Sequence, residues 1–404
     1  MSNNIIECIR KKDIEYKNNV FYLALITMVL KGLIAYSELI PYSIKKPLVL
    51  VGNLAFLFFL MLKIVFLQKY TIKQCIVVSM FGLMTFYTDR VTSTFVFLPD
   101  FLFIIATQDV DFKKIIRKTY RVEAVILLFH VFVYAFCWVF CRNIINFSVR
   151  IEADGSYTYR HQFLLAHANS ASMLVLWTIL GYLYAEYENL TRKKIICAWG
   201  IYVLVHIFTD SNSGLIILTV TSTILLIKKT IGDSIDNFIT FLSKYTFIFL
   251  AVISNILMVI YTKCTGIFKQ IWSTINIFFT GRLLYGAYAY DKHGFTLLGR
   301  LIPNKKDYWQ GMWIDVIPCD NAYMWFSVCY GVVYVFAIAY IMWEYSKYIK
   351  FEEKVLIIAY SLYTLMELYV TSMFYAFPLI MIARYLWVSH EKKSDGNQYC
   401  SEKT

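Results

Sequence analysis

Charge is scarce in this chain. Asp, Glu, Lys and Arg together supply 16% of its 404 residues, while 59% are hydrophobic. That balance excludes a soluble globular domain and fits a polytopic membrane protein. The familiar phosphate and metal motifs are missing too. There is no Walker loop, no Rossmann glycine pattern and no His-Glu-x-x-His. Nucleotide-driven energy input is therefore disfavoured. Nine cysteines are present, but none follows a Cys-x-x-Cys or other metal spacing. No cofactor and no metal are implied. Nor does a stretch rich in Pro, Gly or Ser mark a linker, and no internal repeat is evident, so residues 1–404 read as one transmembrane domain.

Apolar sequence dominates instead. Runs of about 17–25 residues recur, each sufficient to cross a hydrocarbon core of ~30 Å. They lack the alternation of a barrel strand, and backbone in lipid must bond to itself, so they are helices. The expected architecture is all-α with about twelve spans, near 19–37, 47–67, 72–88, 92–108, 122–141, 168–186, 195–209, 213–228, 245–262, 321–343, 354–374 and 376–389. Arg10-Lys11-Lys12 before the first span reads as a start-transfer anchor without a cleavage site. With both termini in the cytoplasm, most of the 39 Lys and Arg fall on the cytoplasmic side, as the positive-inside rule requires. That topology accounts for the net charge of +12 without nucleic-acid binding. The basic residues left outside sit mostly in two long loops, 142–167 and 262–319, where they can serve an anionic ligand.

Several local patterns carry structural expectations. Phe112, Ile115, Ile116 and Tyr120 share one face of Asp109–Val122, with Lys and Arg around the rest. This reads as a helix lying on an anionic inner leaflet. Ile267, Ile271, Trp272, Ile275, Phe278 and Phe279 recur at helical spacing, which would lay Ile267–Thr280 on the outer membrane face. Arg282 would continue that stripe at headgroup depth. The short spans around Thr209–Gly214 suggest a turn recessed below the outer surface. Glu367 and Arg384 stand at similar distances from a turn near Tyr375 and would pair, since a lone charge at that depth is costly. Cys264 and Cys319 bracket the second long loop, which leaves a disulfide open.

The polar residues able to carry chemistry gather outside. In the first long loop Arg160 offers a rigid fork of donors to phosphate. His167 can donate, accept or shuttle a proton, and Asn169 would cap the helix that starts there. A capped and hydrated helix end is the plainer alternative for both. The second loop holds a further constellation of Arg282, Asp291, His293, Arg300, Asp320 and Asn321. Asp320 precedes Ala322-Tyr323-Met324-Trp325, so it reads either as a helix cap or as a base taking a proton from a hydroxyl.

Five landmarks occur in order along the chain. They are Arg160 with His167-Ala168-Asn169, the turn Asp210-Ser211-Asn212-Ser213-Gly214, Gly281-Arg282, Phe295-Thr296-Leu297-Leu298-Gly299, and Asp320-Asn321-Ala322-Tyr323 with Gly331 after it. Together they resemble the Wzy-type oligosaccharide repeat-unit polymerases of bacterial capsule, exopolysaccharide and O-antigen synthesis, relatives of the O-antigen ligases. The resemblance implies a GT-C-like, metal-independent glycosyltransferase of the bacterial cytoplasmic membrane. Its substrates would be undecaprenyl-diphosphate-linked oligosaccharides, the growing glycan passing from its lipid diphosphate to the non-reducing end of an incoming unit. Membrane lipid, a chain-length regulator and the flippase of the same pathway would be its partners. Arg282 and Arg160 would stabilise the departing diphosphate. Asp320 would orient or deprotonate the acceptor, and His167 would complete the catalytic set. Asn169, Asn212, Arg300, Asn321 and Tyr323 would contact substrate.

The match departs at Asn212, where relatives commonly carry an arginine; asparagine donates a hydrogen bond but supplies no charge. Other classes remain open. A lipid-linked oligosaccharide flippase needs a polar central cavity and little outer loop, an O-antigen-type ligase uses another acceptor, and a small-solute transporter would show inverted repeats with broken helices.

Overall fold

A computed structural model of the chain describes residues 2–151, 156–278, 281–303, 305–315, 319–368 and 377–387. They are mostly helical. The first helices are α1 Ser2–Tyr36, α2 Tyr42–Met61, α3 Ile72–Thr92, α4 Phe97–Ile105, α5 Phe112–Phe140, α6 Ala168–Ala185, α7 Arg192–Thr209 and α8 Asn212–Ile231. Then come α9 Asp236–Lys263, α10 Gly266–Phe278, α11 Arg282–His293, α12 Ala322–Trp325, α13 Val332–Tyr345, α14 Phe351–Met366 and α15 Phe377–Ala383. Two short antiparallel hairpins stand in the long loops, β1 Phe147–Ile151 with β2 Tyr157–His161, and β3 Lys306–Trp309 with β4 Met312–Asp315.

Among the described residues, four helical stretches are long and apolar enough to cross a membrane: Lys12–Tyr36, Tyr42–Phe66, Phe112–Phe140 and the 52-residue Asn212–Lys263. Val332–Tyr345 and Phe377–Trp387 are apolar but shorter. This is the chemistry of a helical membrane protein. The chain forms two compact units. The first comprises 1–68 with 106–235, and the second 69–105 with 236–404.

In the first unit, the expected surface helix over Asp109–Val122 does not exist as a separate element. Asp111 caps α5, its carboxylate accepting from Lys114 N at 3.1 Å, and the helix then runs unbroken into the apolar span. Its apolar face meets protein rather than lipid. Phe112 packs edge-on to Phe21 at 5.7 Å, and Gly181 of α6 lets Ile116 and Tyr120 approach closely. Arg117 and Arg121 turn to Glu186 at 2.9 and 3.4 Å. A face packed on helices cannot lie on headgroups.

The second unit departs from the expected spans in two places. The span expected near 92–108 is the nine-residue α4, about 13 Å long at 1.5 Å per residue, too short to cross as a helix by itself. Ser93, at φ 54, ends α3. Asp89 then accepts from the amides of Val96, Phe97 and Leu98 at 3.2, 3.1 and 2.8 Å, and this starts α4 afresh. The span expected at 321–343 is also broken. Only α12 is α-helical before a π-turn over Phe326–Tyr330, and Gly331, at φ +122, resets the chain for α13.

A broken helix leaves backbone groups unanswered, which apolar surroundings penalise. Here the extended segment Phe295–Arg300 answers them. Thr296 N donates to Ser327 O at 3.0 Å, Arg300 N to Cys329 O at 2.8 Å, and Val332 N to Thr296 O at 2.9 Å. Thr88 Oγ1 of α3 holds the Leu298 carbonyl from the other side. Two landmarks some thirty residues apart thus form one interlocked feature, because Gly331 leaves no room for a side chain. A Cβ there would stand 2.3 Å from Leu297 O.

Gly331→Ala is accordingly expected to melt well below the parent in a detergent thermal shift, losing about 1–3 kcal/mol from backbone strain alone. Gly200→Ala, whose Cβ would meet nothing within 4 Å, should leave the melting point unchanged or slightly raised.

Candidate functional site

Each unit gathers its own polar cluster. In the second unit, α10 covers the expected amphipathic stretch to Phe278, and Ile267, Phe268 and Ile271 are exposed along it. Phe279 and Thr280, expected to extend it, lie outside the described residues. Arg282 does not continue that stripe. Gly281, at φ +84, opens α11, while Asn276 braces this start by accepting from Gly281 N with its carbonyl and from Leu284 N with its amide oxygen.

The redirected Arg282 guanidinium faces two carboxylates. Its Nη2 stands 3.5 Å from Oε1 of Glu367 and 3.8 Å from Oδ2 of Asp320. Glu367 is 2% exposed, Arg282 15% and Asp320 52%. Glu367 reaches this place because α14 stops at Met366 and the next residue is extended, at φ −147. The expected partner of Glu367, Arg384, is elsewhere. It pairs with Glu353 at 2.5 Å, in the first turn of α14, and with Tyr385. Glu353 and Glu367 sit at opposite ends of that helix, about 20 Å apart at 1.5 Å per residue. The expected turn near Tyr375 lies outside the described residues.

The residues after Asp320 hold it in place. Asn321, not Asp320, caps α12, accepting from Met324 N at 3.2 Å and donating to Ser254 Oγ on α9 at 3.2 Å. Tyr323 is fully buried, its hydroxyl on Ser361 O at 2.9 Å and its ring against Phe247. Both residues, read from sequence as substrate contacts, anchor the helix start from inside. Cys319 and Cys264 are free thiols, so the disulfide that their positions leave open is not made. The Cys319 thiol is buried and donates to Arg282 O at 3.2 Å, and burial pushes it up to about 12. Asp320 is also pushed up, by desolvation from the protein around it, against the pull of Arg282.

The remaining second-loop candidates serve the other end of α11. Arg282 and His293 are the first and last residues of that 12-residue helix, about 16 Å apart at 1.5 Å per residue. Asp291 accepts from the Trp309 indole at 2.8 Å, and Asp307 takes the Tyr288 hydroxyl at 2.7 Å and Lys292 at 3.3 Å. These bonds tie the β3–β4 hairpin to α11. His293 is held below its ordinary value by burial and then by Arg300 and Lys292. Arg300, half-buried, lies in the extended segment that answers the broken helix.

No family model, curated protein or solved structure matches the chain. Both clusters are therefore read from their geometry.

In the first unit, β1–β2 alternates so that Arg150 and Arg160 reach the turn after α7. Arg150 Nη1 meets Asp210 Oδ2 at 2.5 Å, and Nη2 donates to Asp210 O at 3.2 Å. Arg160, 4% exposed, donates to Thr209 O at 2.7 Å and to Asn169 Oδ1. Thr209 and Ser211 are buried, so the turn is covered by protein, and Asp210 takes a left-handed φ of 47. His167 caps α6 in place of Asn169, accepting from Asn169 N at 3.1 Å. Desolvation, with the charges of Arg160 and Arg150, holds its imidazole below the ordinary value. Asn212 is exposed at the first turn of α8.

Sequence reasoning missed Arg150 and misassigned Glu367. A signal existed for each. Ser148–Ile151 and Tyr157–His161 alternate as strands do, and an acid inside an apolar run marks a site by itself.

Glu367 is buried against Arg282, whereas Arg282 also has Asp320 beside it. Arg282→Ala should therefore cost about 3–5 kcal/mol and Glu367→Ala less, while the double variant costs well below their sum. Thermal melts of the three purified variants in one detergent check this cycle.

Proposed function

We propose that this chain polymerises lipid-linked oligosaccharide repeat units at the outer face of a bacterial cytoplasmic membrane. The reading is that of a GT-C-like protein of about twelve helical segments, some of them half-length, with both termini in the cytoplasm. The observation that carries it is the grouping of Arg282, half-exposed Asp320 and buried Glu367, with Arg282 in the loop that charge distribution assigns to the outside.

The chemistry is a displacement at the sugar's anomeric carbon. The acceptor hydroxyl oxygen forms a bond to that carbon, its proton passes to Asp320, and the bond to the undecaprenyl diphosphate oxygen breaks with its electron pair. Asp320 suits the proton's destination, being accessible and already biased toward its protonated form. Arg282 is the cation beside the developing charge on the diphosphate. Glu367 holds that guanidinium in one orientation and is a positioning residue. Arg160, read from sequence as a second diphosphate ligand, is engaged by Thr209 and Asn169, so its part is to brace the turn. His167 and Asn212 remain the first unit's groups able to meet a sugar or phosphate.

Asp320→Asn is expected to lower chain elongation by about 10²–10⁴-fold, leaving single lipid-linked units on the outer leaflet. A leaflet-specific label reads this in cells, and a variant trapping those units inside would instead mark a flippase. Normal chain length in Asp320→Asn overturns the assigned role. With purified protein and a synthetic lipid-linked unit, the rate should fall as pH drops through a value above the ordinary carboxylate range. The sign follows from the raised value of Asp320, since the base form is lost as pH falls through it. That acid limb should vanish in Asp320→Asn, and a chelator should leave the parent rate unchanged.

A further inference from the structure

The second unit contains a cavity of about 490 Å³ that the proposed chemistry does not use. Its size lies within the roughly 300–1,000 Å³ of ligand sites. We propose that it holds one acyl chain of an anionic phospholipid entering from the cytoplasmic leaflet.

Three observations support this occupant. First, the cavity is a groove of one-leaflet depth. Its wall on α3 extends from Lys73 to Thr85, twelve residues or about 18 Å of helix, against ~15 Å for half a hydrocarbon core. Between those ends the wall is apolar, with Val77 and Phe81 facing Ala337 and Ile341 of α13. The inner end of the groove is closed by rings. Phe97 stacks on Tyr334 at 4.4 Å and meets Phe326 at 5.9 Å.

Second, the Lys73 end of the groove, which the proposal makes its mouth, suits an anionic headgroup. Lys73 and Gln74 line it, and Lys73 is exposed, as is Lys69 just before α3. Their loop is on the side that the Lys and Arg distribution assigns to the cytoplasm. A basic residue at such a surface attracts anionic lipid by roughly 1 kcal/mol. Third, Trp387 lines the mouth and meets Tyr70 edge-on at 5.8 Å. Trp and Tyr with Lys are the side chains that settle at a membrane–water boundary.

The carboxylate of Asp100 enters the wall as well. It lies in the first turn of α4, where the helix amides favour a negative charge. The π-turn that breaks α12 from α13 supplies Phe326 at the closed end. The interruption of that span thus shapes the pocket, since an unbroken helix would present this face differently.

The test uses the full chain in nanodiscs with phosphatidylglycerol carrying a diazirine at one acyl terminus. Irradiation should label peptides spanning Phe97–Phe103 or Val333–Ile341. Ala337→Trp, which fills the groove, should abolish most of that label. Lys73→Glu should lower labelling by about fivefold relative to the parent, while a phosphatidylcholine probe changes little. Labels confined to other peptides overturn the proposal, as does equal labelling of Lys73→Glu and parent. Competition by a polyprenyl phosphate but not by unlabelled phosphatidylglycerol overturns the assigned occupant. If Ala337→Trp does not fold to a single species, Lys73→Glu alone decides, because Lys73 is solvent-facing and its replacement leaves the packing intact.

Discussion

Glu367 is a carboxylate with almost no access to solvent, and the guanidinium of Arg282 stands 3.5 Å from it. Desolvating a lone carboxylate costs several kcal/mol even after relaxation. The pair therefore constrains everything attached to it. It fixes the end of α14 against the start of α11, and it leaves the guanidinium's second side for Asp320 at 3.8 Å. Neither distance is that of a tight charge-assisted bond, which falls near 2.7–2.9 Å. One cation is shared between two anions, so Arg282 is oriented by the buried one while the accessible one faces outward.

The same unit shows how backbone constraints build a site. Gly281 and Gly331 take backbone conformations that L side chains rarely adopt, and each redirects a helix. At Gly281 the change of direction removes Arg282 from the amphipathic stripe and turns it to Glu367. At Gly331 it opens a π-turn whose carbonyls need donors, and the segment Phe295–Arg300 supplies them. Asp89 does the equivalent work for α4 with one carboxylate and three amides. Each of these helix interruptions is met by a side chain or an extended strand of backbone, as apolar surroundings require.

In the first unit, arginines act as structural clamps. Arg150 and Arg160 reach from a hairpin to the Thr209–Asp210 turn, each engaging a backbone carbonyl. An arginine in an outer loop reads in sequence as a free phosphate ligand, yet the fold can equally occupy its donors with its own carbonyls. Burial separates the two cases. Arg160 is 4% exposed, and its neighbours His167 and Asn212 are the ones presented outward.

The helical membrane character, many helix positions and the amphipathic α10 were legible from residue order alone. Apolar runs and charge scarcity are local properties, and lipid permits few answers to them. The hairpins were hidden because their alternation is short and sits inside polar loops. The partners of Glu367 and Arg384 could not be read, because counting residues from a turn assumes straight helices, and α14 ends before Glu367. The division into two units, the shortness of α4 and the interlock of Gly331 with Leu297 likewise depend on contacts between segments far apart in sequence. Composition decides that this chain prefers lipid, whereas only folding decides which charge faces which, because each pairing is set by where helices stop.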